Sequence, residues 1–254
     1  MKYIALALSS VLLFGCGGGG GGGAPAASAK VVSTETFLLK QAYANYFNNT
    51  KTETSTITGT VNVTDNGTTQ SGTVSGNGTS TSSAITGTTF EGMPALQKTR
   101  TASGSITIVA GGQSATQALP NTSLTHYATT DFLPLGSVAS TGGYTAVSAP
   151  ASIPVTAKVN DSGTIASYVT YASSAKGAPA NTSVLSYQLA ADTASTAILN
   201  LTETVKTTGG VVISTTTWSH RMTPAGALTH LNDLATTTLT SGTSTLWMEL
   251  TLTY

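Results

Sequence analysis

From Ile57 onward the apolar residues tend to fall at every second position. Ile57, Val61 and Val63 alternate with Thr and Asn, and the run ends at Asp65-Asn66-Gly67. A period of two sends successive side chains to opposite faces of a strand, and Asn-Gly accepts the positive φ of a tight hairpin turn. SGSITIVAGGQSATQ repeats the arrangement with Ile106, Ile108 and Gly111-Gly112. Further on, Leu199, Leu201, Glu203 and Val205 take one, mostly apolar, face while Ile198, Asn200, Thr202 and Thr204 take the other. Turns follow at Thr208-Gly209-Gly210 and Ser241-Gly242. The prediction is a mainly β protein, an antiparallel meander forming a curved sheet, a sandwich or a half-barrel, with one face wetted and one packed.

One segment departs from this period. In residues 34–48 Leu39, Tyr43, Tyr46 and Phe47 fall at i, i+4, i+7 and i+8, which predicts a single N-terminal helix with Ser33 or Thr34 as its cap and Glu35 in its first turn. Its aromatic stripe needs a surface to pack on, and a sheet supplies one. Pro134 to Pro154 is dense in Pro, Gly, Ser and Ala and marks a long loop or a seam within an otherwise single domain over 31–254.

Composition narrows the partners. Only 8% of the chain is charged while 39% is apolar, and ten basic residues balance ten acidic ones. No basic patch stands ready to release counterions from nucleic acid, so none is expected as a partner. The single cysteine, Cys16, excludes an intramolecular disulfide.

The first thirty residues read as an address. Lys2, an apolar run from Ile4 to Phe14, and Gly15 before Cys16 have the layout of a secretory signal spanning 1–15, too short to cross a bilayer. Leu13-Phe14-Gly15-Cys16 resembles the lipobox of bacterial lipoproteins. The resemblance implies acylation of Cys16, which becomes the mature N-terminus and holds the protein to a membrane. Gly17, which is not acidic, implies the outer membrane by the enteric sorting rule. Residues 16–30 then form a tether whose glycines behave as flexible coil, and the Ala/Pro/Ser tract around Ser28 is similar to acceptor sites for O-linked glycosylation. The whole chain resembles glycine-tethered lipoproteins of Gram-negative bacteria.

The C-terminal strand carries a second resemblance. Leu246, Met248, Leu250, Leu252 and Tyr254 alternate with Trp247, Glu249, Thr251 and Thr253, similar to the signal by which outer-membrane β-barrels are recognised for insertion. Most earlier strands are short and dominated by Thr and Ser, unlike lipid-facing strands.

Catalysis needs groups that titrate or coordinate. The histidines are His126, His220 and His230, and no Gly-x-Ser-x-Gly elbow accompanies them. His220 and His230 flank the Thr223–Gly226 turn and are placed to face one another across a hairpin with Asp233 as a third ligand, the minimum for a catalytic zinc. The spacing reads better as polar hairpin residues in solvent, and no metal or cofactor is expected. Asp65-Asn66-Gly67 and Asn160-Asp161-Ser162-Gly163 lack the alternating acids of a calcium loop and read as turns. The expectation is a non-enzymatic envelope lipoprotein with a binding or structural role. Its alternatives are a hydrolase assembled from distant residues and a membrane-inserted barrel.

Overall fold

The computed structural model describes residues 30–48, 50–119, 121–140, 142–241 and 243–254. The helix α1 (Leu39–Asn48) precedes fourteen strands: β1 (Lys51–Asp65), β2 (Thr68–Ser82), β3 (Thr86–Phe90), β4 (Met93–Ala110), β5 (Gln113–Ala118), β6 (Asn121–Tyr127), β7 (Pro134–Ala139), β8 (Tyr144–Val147), β9 (Ser162–Tyr171), β10 (Pro179–Ala191), β11 (Ala197–Thr207), β12 (Val212–Met222), β13 (Leu228–Ser241) and β14 (Ser244–Thr253). The Pro/Gly-rich stretch 134–154 thus contains two short strands.

All pairings are antiparallel, and the fourteen strands build twelve staves. β2 pairs with Arg100–Ala110 of β4, and β3 continues along the same edge by pairing with Met93–Gln97. On the opposite edge β5 pairs with Ser105–Ala110 and β6 with Leu96–Ala102. Each stave bonds its neighbour in sequence, and β1 pairs with β14 from Thr56↔Thr253 to Asp65↔Ser244. The result is a closed twelve-strand barrel, more specific than the curved sheet, sandwich or half-barrel expected from alternation. Closure removes the exposed sheet edges that a sandwich would carry.

Turn chemistry explains the tight hairpins. Asn66 and Gly67 both have positive φ (48° and 79°), as do Gly111 and Gly112, which matches the twist of the flanking strands. Glycines within the strands allow close backbone approach along the β1–β2–β4 wall and at the β1–β14 seam. A Cβ on Gly104 (φ 150°) would lie 2.2 Å from the Asn77 carbonyl oxygen, and one on Gly59 would lie 2.0 Å from that of Glu249.

Register fixes which side chains share a face. Ile57, Val61, Val74, Ile106, Met248 and Leu250 point inward and form one buried cluster. Leu185, Leu189, Leu199, Leu201, Trp218 and Met222 form a second on the β10–β12 side. The outward positions of the same strands are hydroxyl-rich: Thr54, Thr56, Thr58 and Thr60 on β1, and Thr73 and Ser75 on β2, are all exposed. The apolar residues of the C-terminal strand, Leu246, Met248 and Leu250, are on the lumen side and buried.

Candidate functional site: the barrel lumen

The helix closes one end of the barrel. Phe37 N donates to Ala157 O (2.9 Å), Leu38 N to Pro224 O (3.0 Å) and Lys40 N to Val155 O (3.3 Å), so loops at that end receive the N–H groups of the segment leading into the helix and of its first turn. These bonds correct the expected helix boundary. Residues 34–38 are not helical: Phe37 forms an isolated bridge with Ala157, and the helix begins at Leu39. Ser33 Oγ accepts from Glu35 N (3.2 Å), a local turn rather than a cap. At the other terminus Lys98, from β4, donates Nζ to the Phe47 carbonyl (2.8 Å), setting a cation on the negative end of the helix dipole. Leu39, Ala42, Tyr43 and Tyr46 are buried.

Behind the helix lies a cavity of about 120 Å³ with two unlike walls. Tyr43, Tyr46 and Phe47 of α1 form its floor, and Leu185, Leu201, Trp218 and Tyr168 an apolar side. The facing side is polar. Arg100 stands opposite Ser82 on β2 and Ser123 on β6, Lys98 opposite Thr125, and Thr125 opposite Ser137. Arg100 Nε donates to Ser80 Oγ (2.8 Å). Parity was the signal for this wall: Lys98 and Arg100 share their face of β4 with Ile106 and Ile108.

Glu203 is the carboxyl of this cavity. It belongs to the apolar face of β11, as alternation expects, and is buried with Ser183 Oγ donating to Oε1 (2.8 Å). Burial pushes its pKa up to about 7, only partly offset by the Ser183 hydrogen bond. Burial likewise raises the Tyr43 and Tyr168 hydroxyls. Tyr43 Oη is buried with no hydrogen-bond partner among the described residues.

A polar cluster occupies the neighbouring part of the lumen. His220 and His230 are register partners with rings stacked at 4.5 Å, so the hairpin does bring them together. They are not in solvent: His220, His230 and Asp233 are all buried. The reason is a bulge between Ser219/His220 and Asn232/His230, which lets His230 and Asp233, three residues apart, both face inward. His230 Nε2 lies 2.6 Å from Asp233 Oδ1, and Tyr254 Oη donates to Asp233 Oδ2 (2.7 Å). His230 Nδ1 is buried without a hydrogen-bond partner among the described residues, so no hydroxyl nucleophile meets that nitrogen. Glu53, also inward-facing, has its pKa raised by burial against the opposing pull of Lys51.

The third histidine is elsewhere. His126 pairs with Gly136 on the outer face, where the tip of the β3–β4 hairpin folds over it and Phe90 stacks on its ring at 4.4 Å. Phe90, Ala95, Tyr144 and Ala146 form a small external core, and Glu91 binds both Tyr144 and Lys176 beside it. Burial lowers the His126 pKa.

Among the described residues no group of three or more His, Cys, Asp or Glu is placed to hold a metal ion. Asp65 accepts from Ser244 Oγ (2.7 Å), its register partner across the β1–β14 seam, and Asp161 from Lys158 N (2.7 Å) within a turn. Cys16, the lipobox and Ser28 lie outside the described residues. No protein-family model, curated protein or solved structure matches the chain.

Proposed function

We propose that this chain is a non-enzymatic, lipid-anchored barrel of the bacterial envelope, tethered to the outer membrane through Cys16, with a lumen that takes up a small ligand. The observation that carries the reading is the polarity of the barrel: hydroxyl side chains cover the outside of β1 and β2 while the aliphatic and aromatic residues line the inside. A wall that spans lipid has the opposite arrangement, an apolar band outside. Ligand sites favour concave, largely apolar pockets with a few converging polar groups, and the cavity under α1 has that composition. The tether supports the anchoring half of the reading, since several acyl chains on one residue give stable attachment.

Membrane insertion is the second reading, favoured by one observation: twelve antiparallel staves joined in sequence order and closed first to last, an architecture shared with outer-membrane barrels. A detergent-phase partition of the full chain tests both. The wild type is expected in the Triton X-114 phase and the C16S variant in the aqueous phase. C16S remaining with detergent supports insertion and overturns the tethered reading, and wild type in the aqueous phase overturns the anchor.

A further inference from the structure

We propose that the cavity beneath α1 takes a neutral, compact molecule of about one ring that carries a single hydrogen-bonding group, with that group on Glu203. The inference rests on reading the lumen as a ligand site and names the class of ligand.

Volume limits the occupant. A cavity of about 120 Å³ is of the order of the engineered apolar cavity of roughly 150 Å³ that admits benzene, so one ring with a short polar arm fills it and a long acyl chain does not. The surroundings suit a ring. Phe47 in the floor meets Tyr43, Tyr46 and Tyr127 with ring centroids 4.5, 4.7 and 4.8 Å away, tilted or edge-on, and Leu201 and Trp218 close the side. A guest ring extends the same kind of contact.

Charge argues against an ion. The cations of the polar wall are engaged: Lys98 Nζ donates to the Phe47 carbonyl (2.8 Å) and Arg100 Nε to Ser80 Oγ (2.8 Å). Arg100 also acts electrostatically on Glu53 and Tyr254, and lines a second hollow with Asp233. The acids of the lumen are engaged as well. Glu53 has Lys51 at 3.7 Å, and Asp233 holds both His230 Nε2 (2.6 Å) and the Tyr254 hydroxyl (2.7 Å). Glu203, in the lining itself, is driven towards its neutral form by burial. A carboxylate or an ammonium in the cavity therefore has to draw its counter-charge away from an existing partner, a cost that a neutral guest avoids.

Glu203 supplies the polar point. Ser183 Oγ donates to its Oε1, and a neutral carboxyl donates its own proton while keeping acceptor capacity, so it can bond a hydroxyl, a carbonyl or an amide N–H. Leu201 shares the lumen face of β11 two positions before it, about 7 Å along the strand at roughly 3.4 Å per residue. A ring resting on Leu201 brings a one-carbon arm within reach of the carboxyl.

The experiment uses the full chain with C16S, to remove the proposed acylation site, and W247F, so that Trp218 in the cavity wall is the single reporter. Benzyl alcohol, toluene, benzoate and benzylamine share one ring and differ in charge and hydrogen bonding, and each is titrated against Trp218 emission at pH 6. Benzyl alcohol is expected to saturate at least about tenfold more tightly than benzoate or benzylamine, and about threefold to tenfold more tightly than toluene, the range of one hydrogen bond. Glu203→Leu should bring benzyl alcohol to the toluene level, whereas Glu203→Gln, which keeps a donor and an acceptor, should hold it within about threefold of the parent. Benzoate or benzylamine binding as tightly as benzyl alcohol overturns the neutral guest while leaving the lumen as a ligand site. Benzyl alcohol no tighter than toluene, or unaltered by Glu203→Leu, overturns the Glu203 contact; the toluene comparison alone decides if Glu203→Leu does not fold. No saturable change with any of the four overturns both the inference and the lumen reading.

Discussion

Replacing Glu203 by Gln should stabilise the protein, by an amount set by pH. Glu203 projects into the lumen between Leu185 of β10 and Thr216 of β12, and burial raises its pKa from 4.5 to about 7. The folded state therefore binds this proton more tightly than the unfolded chain does. Below pH 4.5 both states are protonated and the residue costs nothing. Between 4.5 and 7 the unfolded chain has lost a proton that the folded state keeps, so stability falls as pH rises, and above 7 the penalty is constant. At about 1.4 kcal/mol per pKa unit, the plateau is about 3 kcal/mol. Gln keeps the shape and an oxygen for the Ser183 hydroxyl, so E203Q removes the penalty without opening a cavity. Urea denaturation of both proteins at pH 4, 5.5, 7 and 8.5 should show coincident stabilities at pH 4 and a gap widening to about 3 kcal/mol at 8.5, or roughly 6–12 °C in Tm for a body of this size. Glu53, whose pKa burial also raises, is present in both proteins and cancels in the difference. The refuting result is a gap of the opposite sign: if E203Q is the less stable protein at pH 8.5, Glu203 is an ion-pair partner of Lys98 or Arg100, and removing it strands a buried cation.

Three further perturbations probe the packing. Leu199→Ala, at a fully buried lumen position, should cost about 2–5 kcal/mol in chemical denaturation; a loss under 1 kcal/mol would mean that the lumen side of β11 is not tightly packed. Gly104→Ala places a Cβ 2.2 Å from the Asn77 carbonyl oxygen at a φ of 150°, and should lower Tm by several degrees or prevent folding, whereas Gly87→Ala, with open space around it, should leave Tm within a degree or two. Phe90→Ala uncovers His126 on the outer face; since burial is what depresses that imidazole, its pKa followed by NMR should rise towards the usual histidine value, and an unchanged pKa would refute the cause given.

Much of the wall was legible in residue order because the period of two is a local signal. The face carrying Leu199, Leu201 and Glu203 is the buried one, and Asn66-Gly67 and Gly111-Gly112 turn with the positive φ expected of them. Closure was not legible: the pairing of Ile57 with Leu252 joins the ends of the barrel, and nothing near either residue encodes the partner. The helix start was misplaced for a related reason, since Pro224, Val155 and Ala157 receive the N–H groups that a local cap would otherwise satisfy. The histidine cluster shows a subtler limit. His220 shares parity with Trp218 and Met222, which marks it as inward, but the bulge that turns His230 to the same side has no sequence signature here. Lys98 and Arg100 share parity with Ile106, yet a charged residue on an apolar face reads as a solvated end until the helix closing that end is known.

The polarity of the barrel wall is the centre of the account, and single cysteines around its waist test it most directly. Thr58→Cys on β1, Thr204→Cys on β11 and Thr215→Cys on β12, each introduced into the full chain, sit on the outward face. Permeabilised cells are then treated with a charged maleimide that does not enter lipid. All three cysteines should label at rates close to one another, as water-facing sites do. A belt of unreactive positions that becomes reactive only after detergent disrupts the membrane would place these hydroxyl-rich faces in the bilayer and contradict the account.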